Sequence, residues 1–168
     1  DLLIGVTNFF RDEEAFSILE ENVIPRLMNA KGMIDPFRAW VCGCSTGEEA
    51  YSIAILLQEY LESSKRPIKV QVFATDIDHL AIEQARTAVF PASIAADMTP
   101  ERLSRFFIHD EERDVYRVQK VIRDMVVFSE QDVIKDPPFS KLDLISCRNL
   151  LIYLNGEVQR RLIPLFHY

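Results

Sequence analysis

Apolar positions recur along this chain in two periods, and the places where one gives way to the other mark its elements. Short apolar runs near 39–42, 69–75, 126–130 and 142–147 are bounded by turn or charged residues and read as buried strands. Between them the spacing is helical. Phe16, Leu19, Val23 and Leu27 line one face of a helix over about 13–30, with Asp12 as its N-cap and Pro25 as a kink or division. Ala50, Ile53, Ala54, Leu57 and Leu61 line a helix over about 47–62, and Leu80, Ala81, Ala85 and Val89 one over about 78–88. Thr99-Pro100-Glu101 is a helix-start signal in the otherwise irregular stretch 90–104. Arg105–Ile108 is short and β-like, Asp110–Asp114 is a charged turn, and Val115–Ile122 alternates apolar and polar at period two. Residues 105–124 are therefore expected to form a small antiparallel insertion. Asn155 caps a last helix to about 166.

Parallel strands alternating with helices predict a single α/β domain over 1–168, a Rossmann-like doubly wound parallel sheet. Ligands of such sheets lie outside the carboxyl ends of the strands. That places Gly43–Glu48, Asp76, Asp132 and Arg148-Asn149 around one cleft.

Composition narrows the class only slightly. The chain has 168 residues, 48% of them apolar and 27% charged, enough for one domain with a real core. A formal net charge of −7 argues against a general nucleic-acid binder. There is no signal-peptide pattern and no apolar run near the roughly 20 residues of a membrane span, so no membrane insertion is expected. Cys42, Cys44 and Cys147 fall in or beside buried strands, which suggests reduced thiols in a cytosolic, cytoplasmic protein. Cys42-x-Cys44 has no further ligands at zinc spacing, so no metal is expected. The chain begins at Asp1 without Met and ends near a helix at Tyr168, and it reads as a piece of a longer protein.

The chemistry concentrates between Arg38 and Asp76: strand, Gly43-Cys-Ser-Thr-Gly47 turn, helix, strand, acid. This is the arrangement of a nucleoside site, with Asp76 able to accept hydrogen bonds from ribose hydroxyls. Glu48 and Glu49 open the helix; they suit its dipole but would repel a phosphate. The glycines read G-x-x-x-G, and the acid follows later than the roughly 20 residues expected for NAD. A ligand with adenosine and a cation but no phosphate fits better, and S-adenosylmethionine is such a ligand. The same pattern could also be a plain βαβ unit with a glycine turn.

Thr7-Asn-Phe-Phe-Arg11, Gly43-Cys-Ser-Thr-Gly-Glu-Glu-Ala-Tyr-Ser52, Ala74-Thr-Asp-Ile-Asp78 and Cys147-Arg-Asn-Leu-Leu-Ile-Tyr153 occur in that order. In these motifs the chain resembles the CheR-type chemotaxis receptor methyltransferases, most of all the variety often fused to methylesterase and sensor domains. The resemblance covers almost the whole chain. It implies methyl transfer from S-adenosylmethionine to glutamate side chains of chemoreceptors, with S-adenosylhomocysteine as product. It implies that Thr7 and Arg11 border the methionine part of the cofactor, and that Glu48 lies near its amino group or sulfonium. By the same resemblance Asp76 holds the ribose. Asp132, where many relatives have Asn, flanks the adenine with Val133, and Asn149 and Leu150 line the far side. Arg11, Arg148 and Tyr153 would sit near the methyl group and the incoming glutamate. The insertion resembles a β-subdomain that in some members docks a receptor-tail peptide as an added strand. A helical domain before Asp1 and the last strands of the sheet beyond Tyr168 would be missing. The uncovered edge this leaves on strand 142–147 invites pairing with another chain, a route to self-association.

Most of these residues also have a purely structural reading. Glu48 could serve the helix dipole, Arg11 a surface ion pair with Asp12 or Glu14, Arg148 an ion pair, Asn149 a turn cap, Tyr153 the core and the insertion packing alone. At the level of function, the alternatives are a non-catalytic cofactor-binding module of a multidomain signalling protein and a methyltransferase for small-molecule carboxylates.

Overall fold

The computed structural model describes residues 7–32, 34–132 and 139–147. The first helical run is α1 (Glu13–Ile18), a π-helical turn (Leu19–Val23) and α2 (Ile24–Asn29). The Asp12 side chain caps it, accepting from the Ala15 N–H. Pro25 does not break the run. Its missing N–H falls just after the wider turn, where the ladder is already disrupted. The π-turn holds one more residue than an α-turn, and the buried stripe slips by one. Ile24 and Met28 are buried where Val23 and Leu27 were expected.

β1 (Phe37–Cys42) leads into α3 (Glu48–Ser64), and β2 (Val70–Asp76) into α4 (His79–Thr87). The first turns of α3 are buried on all sides: Tyr51, Ser52, Ile55 and Leu56 join the expected stripe in the core. Leu80 departs from expectation. α4 packs through Ile82 and Ala85, so Leu80 points away from the sheet and is 77% exposed.

Then come β3 (Val89–Pro91), a 3₁₀ turn (Ala92–Asp97) and α5 (Pro100–Phe106), capped by Thr99. β4 (Phe107–Asp110), β5 (Val115–Val118), α6 (Lys120–Arg123), β6 (Val126–Glu130) and β7 (Leu144–Ser146) follow. β3, β5 and β4 form an antiparallel sheet in that spatial order. The antiparallel region thus starts at Val89 rather than at 105. Residues 105–106 complete α5, and the alternation from Val115 ends at Val118, after which Lys120–Arg123 turn as helix. Val89 and Phe90 fall directly after a helix, where a three-residue strand has too little pattern to be seen.

The larger sheet is parallel, in the order β6-β2-β1-β7. Chain order reverses between β1 and β7, which makes the carboxyl ends of these two strands a topological switch point. One face carries the main core, including Val41, Ala54, Leu57, Val72 and Ala74. The other holds Trp40, Cys42 and Cys147, with Phe73, Phe139, Leu142 and Ile145 around them. Trp40 Nε1 donates to Thr75 Oγ1 at 2.9 Å, so the indole is buried with its polar atom satisfied.

Candidate functional site

The turn from β1 into α3 is built by positive φ angles at Gly43 (67°), Ser45 (51°) and Gly47 (100°). Glycine is favoured at position 47 on two counts. Its φ suits glycine, and a Cβ there would lie 3.1 Å from Ala85 Cβ and 3.2 Å from the Phe128 and Tyr51 rings. Ser45 tolerates its strained conformation because its N–H donates to Asp76 Oδ2 at 2.8 Å. The Cys44 N–H goes to the Thr75 carbonyl and the Gly47 N–H to the Cys44 carbonyl, each at 2.9 Å. Three amides of the turn are thus consumed within the protein. A phosphate-binding loop offers such amides to its ligand; this turn spends one on the Asp76 carboxylate and two on backbone carbonyls of Thr75 and Cys44.

Asp76 Oδ1 also accepts the Asp78 N–H at 2.9 Å. A carboxylate accepts about four hydrogen bonds, so with two used it keeps capacity for a pair of hydroxyls. Its backbone carbonyl accepts the Gln131 N–H at 3.0 Å, which brings the end of β6, and Asp132 after it, beside Asp76. The turn after β1 and the end of β6 thus both meet Asp76, through the Ser45 and Gln131 amides.

The segment Thr7–Asp12 crosses this region as a strap. The Phe10 N–H donates to Ser52 Oγ at 3.0 Å, and that hydroxyl donates to the Glu48 carbonyl at 2.7 Å. Phe9 is buried edge-on between Phe90 and Phe107, with ring centroids 4.8 and 5.3 Å away. Thr7 and Arg11, both half-buried, are thereby carried on a strap anchored to the first turn of α3. Val133, Arg148, Asn149, Leu150 and Tyr153 lie outside the described residues.

The site is anionic. Burial raises the Glu48 carboxyl above the usual range. The Thr46 hydroxyl, which donates to Glu48 Oε1, opposes this, and the charge of Asp97 pushes it further up. Burial likewise raises the Cys44 thiol, and Asp76, Glu48 and Glu49 add to the rise, so Cys44 is a neutral packing group. Glu49, 7% exposed, accepts from Ser146 Oγ at 3.1 Å and ties α3 to β7. Several carboxylates converging without a cation supplied by the turn suit a positively charged ligand. Among the described residues no cluster of metal-ligating side chains occurs, and no helix is long and apolar enough to cross a membrane.

Sequence reasoning missed two residues here. Ser52 lies one helical turn beyond Glu48, and the 3.6-residue period could have placed it. Asp97 is far along the chain, and nothing in its local pattern points to the site.

A Rossmann-like parallel sheet with a phosphate-averse turn, a satisfied strand-end acid and a small antiparallel sheet is of the S-adenosylmethionine-dependent methyltransferase type. The family model described as CheR methyltransferase, SAM binding domain, matches residues 5–168, and the chain belongs to that family. A chemotaxis protein methyltransferase from Borreliella burgdorferi is 32% identical over 167 residues, covering 96% of this chain and 58% of that protein. One from Escherichia coli is 31% identical, covering 98% of this chain and 57% of that protein. An uncharacterized 104.1 kDa protein of Rhodobacter capsulatus is 39% identical over the whole chain, which is 17% of its own length. The chain thus spans little more than half of the first two relatives and about a sixth of the third. A solved TehB-like SAM-dependent methyltransferase from Corynebacterium glutamicum aligns over 92% of this chain and 62% of its own at 17% identity and TM-score 0.40, a likeness too loose to carry weight.

Proposed function

We propose that this chain is the cofactor-binding catalytic domain of a protein-glutamate O-methyltransferase that modifies chemoreceptor cytoplasmic domains. The observation that carries the reading is the turn itself. Its Cys44, Ser45 and Gly47 amides are spent within the protein, the Ser45 N–H on Asp76, and its surroundings are anionic, which together favour a cationic nucleoside over a nucleotide. In this reading Asp76 holds the ribose hydroxyls, Asp132 and Val133 flank the adenine, and Glu48 faces the ammonium or sulfonium end. Thr7 and Arg11 close over that end from the strap, and Asn149 and Leu150 line the far side.

When bound, S-adenosylmethionine supplies a methyl group activated by its positive sulfur. The acceptor glutamate has an unperturbed pKa near 4.3 and is ionised at neutral pH, so the protein needs no general base. What its side chains contribute is alignment and desolvation. The Arg11 guanidinium, with Arg148 and Tyr153, orients the incoming carboxylate toward the methyl group. Receptor methylation as the outcome is supported by the names of the Borreliella and Escherichia relatives, which are chemotaxis methyltransferases.

The test is transfer of labelled methyl from S-adenosylmethionine to a chemoreceptor cytoplasmic domain by the full-length protein, read as base-labile ester. Arg11→Ala is expected to lower transfer by about a hundredfold or more while S-adenosylhomocysteine still binds. A protein that binds the cofactor and methylates no receptor would instead be a non-catalytic module.

A further inference from the structure

This chain carries a formal net charge of −7, yet one of its cavities is lined by two arginines and, among the described residues, by no carboxylate. The cavity measures about 310 Å³ and lies beside β6. Arg86 reaches it from the last turn of α4, Arg123 from the end of α6 and Tyr51 from α3, and Val126–Phe128 complete the lining. A backbone carbonyl fixes each guanidinium. Arg123 Nε donates to the Val118 carbonyl and Arg86 Nη2 to the Phe128 carbonyl, both at 3.0 Å. A guanidinium has five N–H donors. Arg123 spends a single one in this way, and among the described residues no carboxylate pairs with it. Arg86 also pairs with Glu83, which is half-exposed and takes no part in the lining. The rest of the wall is apolar. The buried Tyr51 and Phe128 rings meet edge-on at 5.3 Å, and Val127 is 56% exposed. The Tyr51 hydroxyl is already given to the Ala85 carbonyl at 2.8 Å, so Tyr51 offers the cavity its ring.

We propose that this cavity is a binding site for an organic phosphate, with its phosphoryl oxygens held between Arg86 and Arg123 and its carbon part laid against Tyr51, Phe128 and Val127. Two like charges on one cavity repel each other, and an anion between them turns that repulsion into attraction. The choice of anion follows from the number of forks. A planar carboxylate is matched by one guanidinium, whereas a phosphate has a third oxygen and accepts from two guanidiniums that approach separately. The apolar wall selects an ester over the inorganic ion, because only an ester removes that wall from water. The site is distinct from the proposed cofactor cleft: Thr7, Arg11, Glu48, Asp76 and Asp132 take no part in its lining. It adjoins the cleft all the same, since the Tyr51 and Phe128 rings also pack against Gly47. The inference does not depend on the cofactor reading above.

The experiment is calorimetric titration of the full-length protein with phenyl phosphate, inorganic phosphate and phenol, with and without S-adenosylhomocysteine. Wild type is expected to bind phenyl phosphate with a Kd of about 1 mM or below, and inorganic phosphate several-fold more weakly. Phenol should not bind, and S-adenosylhomocysteine should leave phenyl phosphate binding unchanged. Arg123→Gln is expected to weaken phenyl phosphate about tenfold or more while its thermal midpoint shows it folded. Arg86→Gln should do the same, but Arg86 also holds the Phe128 carbonyl, so Arg123→Gln decides if that variant does not fold. The proposal is overturned by no binding of phenyl phosphate to wild type up to about 10 mM, or by wild-type affinity in a folded Arg123→Gln. Phenol binding as tightly as phenyl phosphate would overturn it too, and so would displacement of phenyl phosphate by S-adenosylhomocysteine, which would put the anion in the cofactor cleft.

Discussion

The two sheets of this chain are built on different terms. The parallel sheet is apolar on both faces, with α3 and α4 against it and the Trp40–Cys42–Cys147 cluster on the side away from the main core. The antiparallel sheet is one-sided. Phe90, Phe107 and Val118 are buried, whereas Ile108 and Arg117, paired across β4 and β5, face outward, Ile108 at 49% exposure. The same difference separates their chemistry. At the carboxyl ends of the parallel strands Asp76, Glu48 and Glu49 are each held by a fixed partner. On the outer antiparallel face, side chains stand unburied where another protein could meet them. Substitutions in the first region should therefore be read as stability and cofactor binding, and those in the second as recognition.

The strap joins the two regions, and Phe9→Ala is the harshest way to break the comparison. It empties the wedge between Phe90 and Phe107 and should cost about 3–5 kcal/mol in urea denaturation. A loss below about 1 kcal/mol would mean that the strap is not packed into the antiparallel sheet. Gly47→Ala comes next, at about 2–3 kcal/mol, because the new Cβ meets Ala85, Phe128 and Tyr51 at an already unfavourable φ. Its thermal midpoint should fall with cofactor affinity.

Glu48→Gln sharpens the comparison differently, since here stability and function should part. Glu48 is held above the ordinary carboxyl range chiefly by burial. Between that range and the raised value the folded state holds more protons than the unfolded one, so stability falls as pH rises through the window. Glutamine carries no charge to desolvate. The variant should be slightly more stable than wild type at neutral pH, with a flatter pH profile of the melting temperature, and bind S-adenosylhomocysteine more weakly. Ile108→Ser should do least to the fold, within about 0.5 kcal/mol. On the proposed function, any effect it has is expected in the KM for a chemoreceptor domain. A large loss of stability there would show that the outer antiparallel face is core.

The parallel sheet was readable from sequence because its information is local. Each strand is a compact apolar run, and strand, glycine turn, helix and acid follow one another within Arg38–Asp76. What escaped depends on distant partners. The slip of the buried stripe from Val23 to Ile24 comes from the π-turn, where Pro25 meets tertiary packing. The exposure of Leu80 follows from how α4 lies on the sheet, and apolarity alone could not say which face that would be. The antiparallel region was placed too late because Val89–Pro91 is short and its partner in β5 lies beyond a helix and another strand.

The account depends most on Asp76 as the acid that reads a nucleoside. Calorimetric titration of the full-length protein with S-adenosylhomocysteine, wild type against Asp76→Asn and Asp76→Ala, addresses it directly. The expected result is binding by wild type, a loss of about tenfold in Asp76→Asn, whose shape still allows a hydrogen bond from Ser45, and a greater loss in Asp76→Ala. Undiminished binding in a folded Asp76→Asn variant would contradict the account, because the acid that the Ser45 amide holds at the strand end would then have no part in holding the ligand.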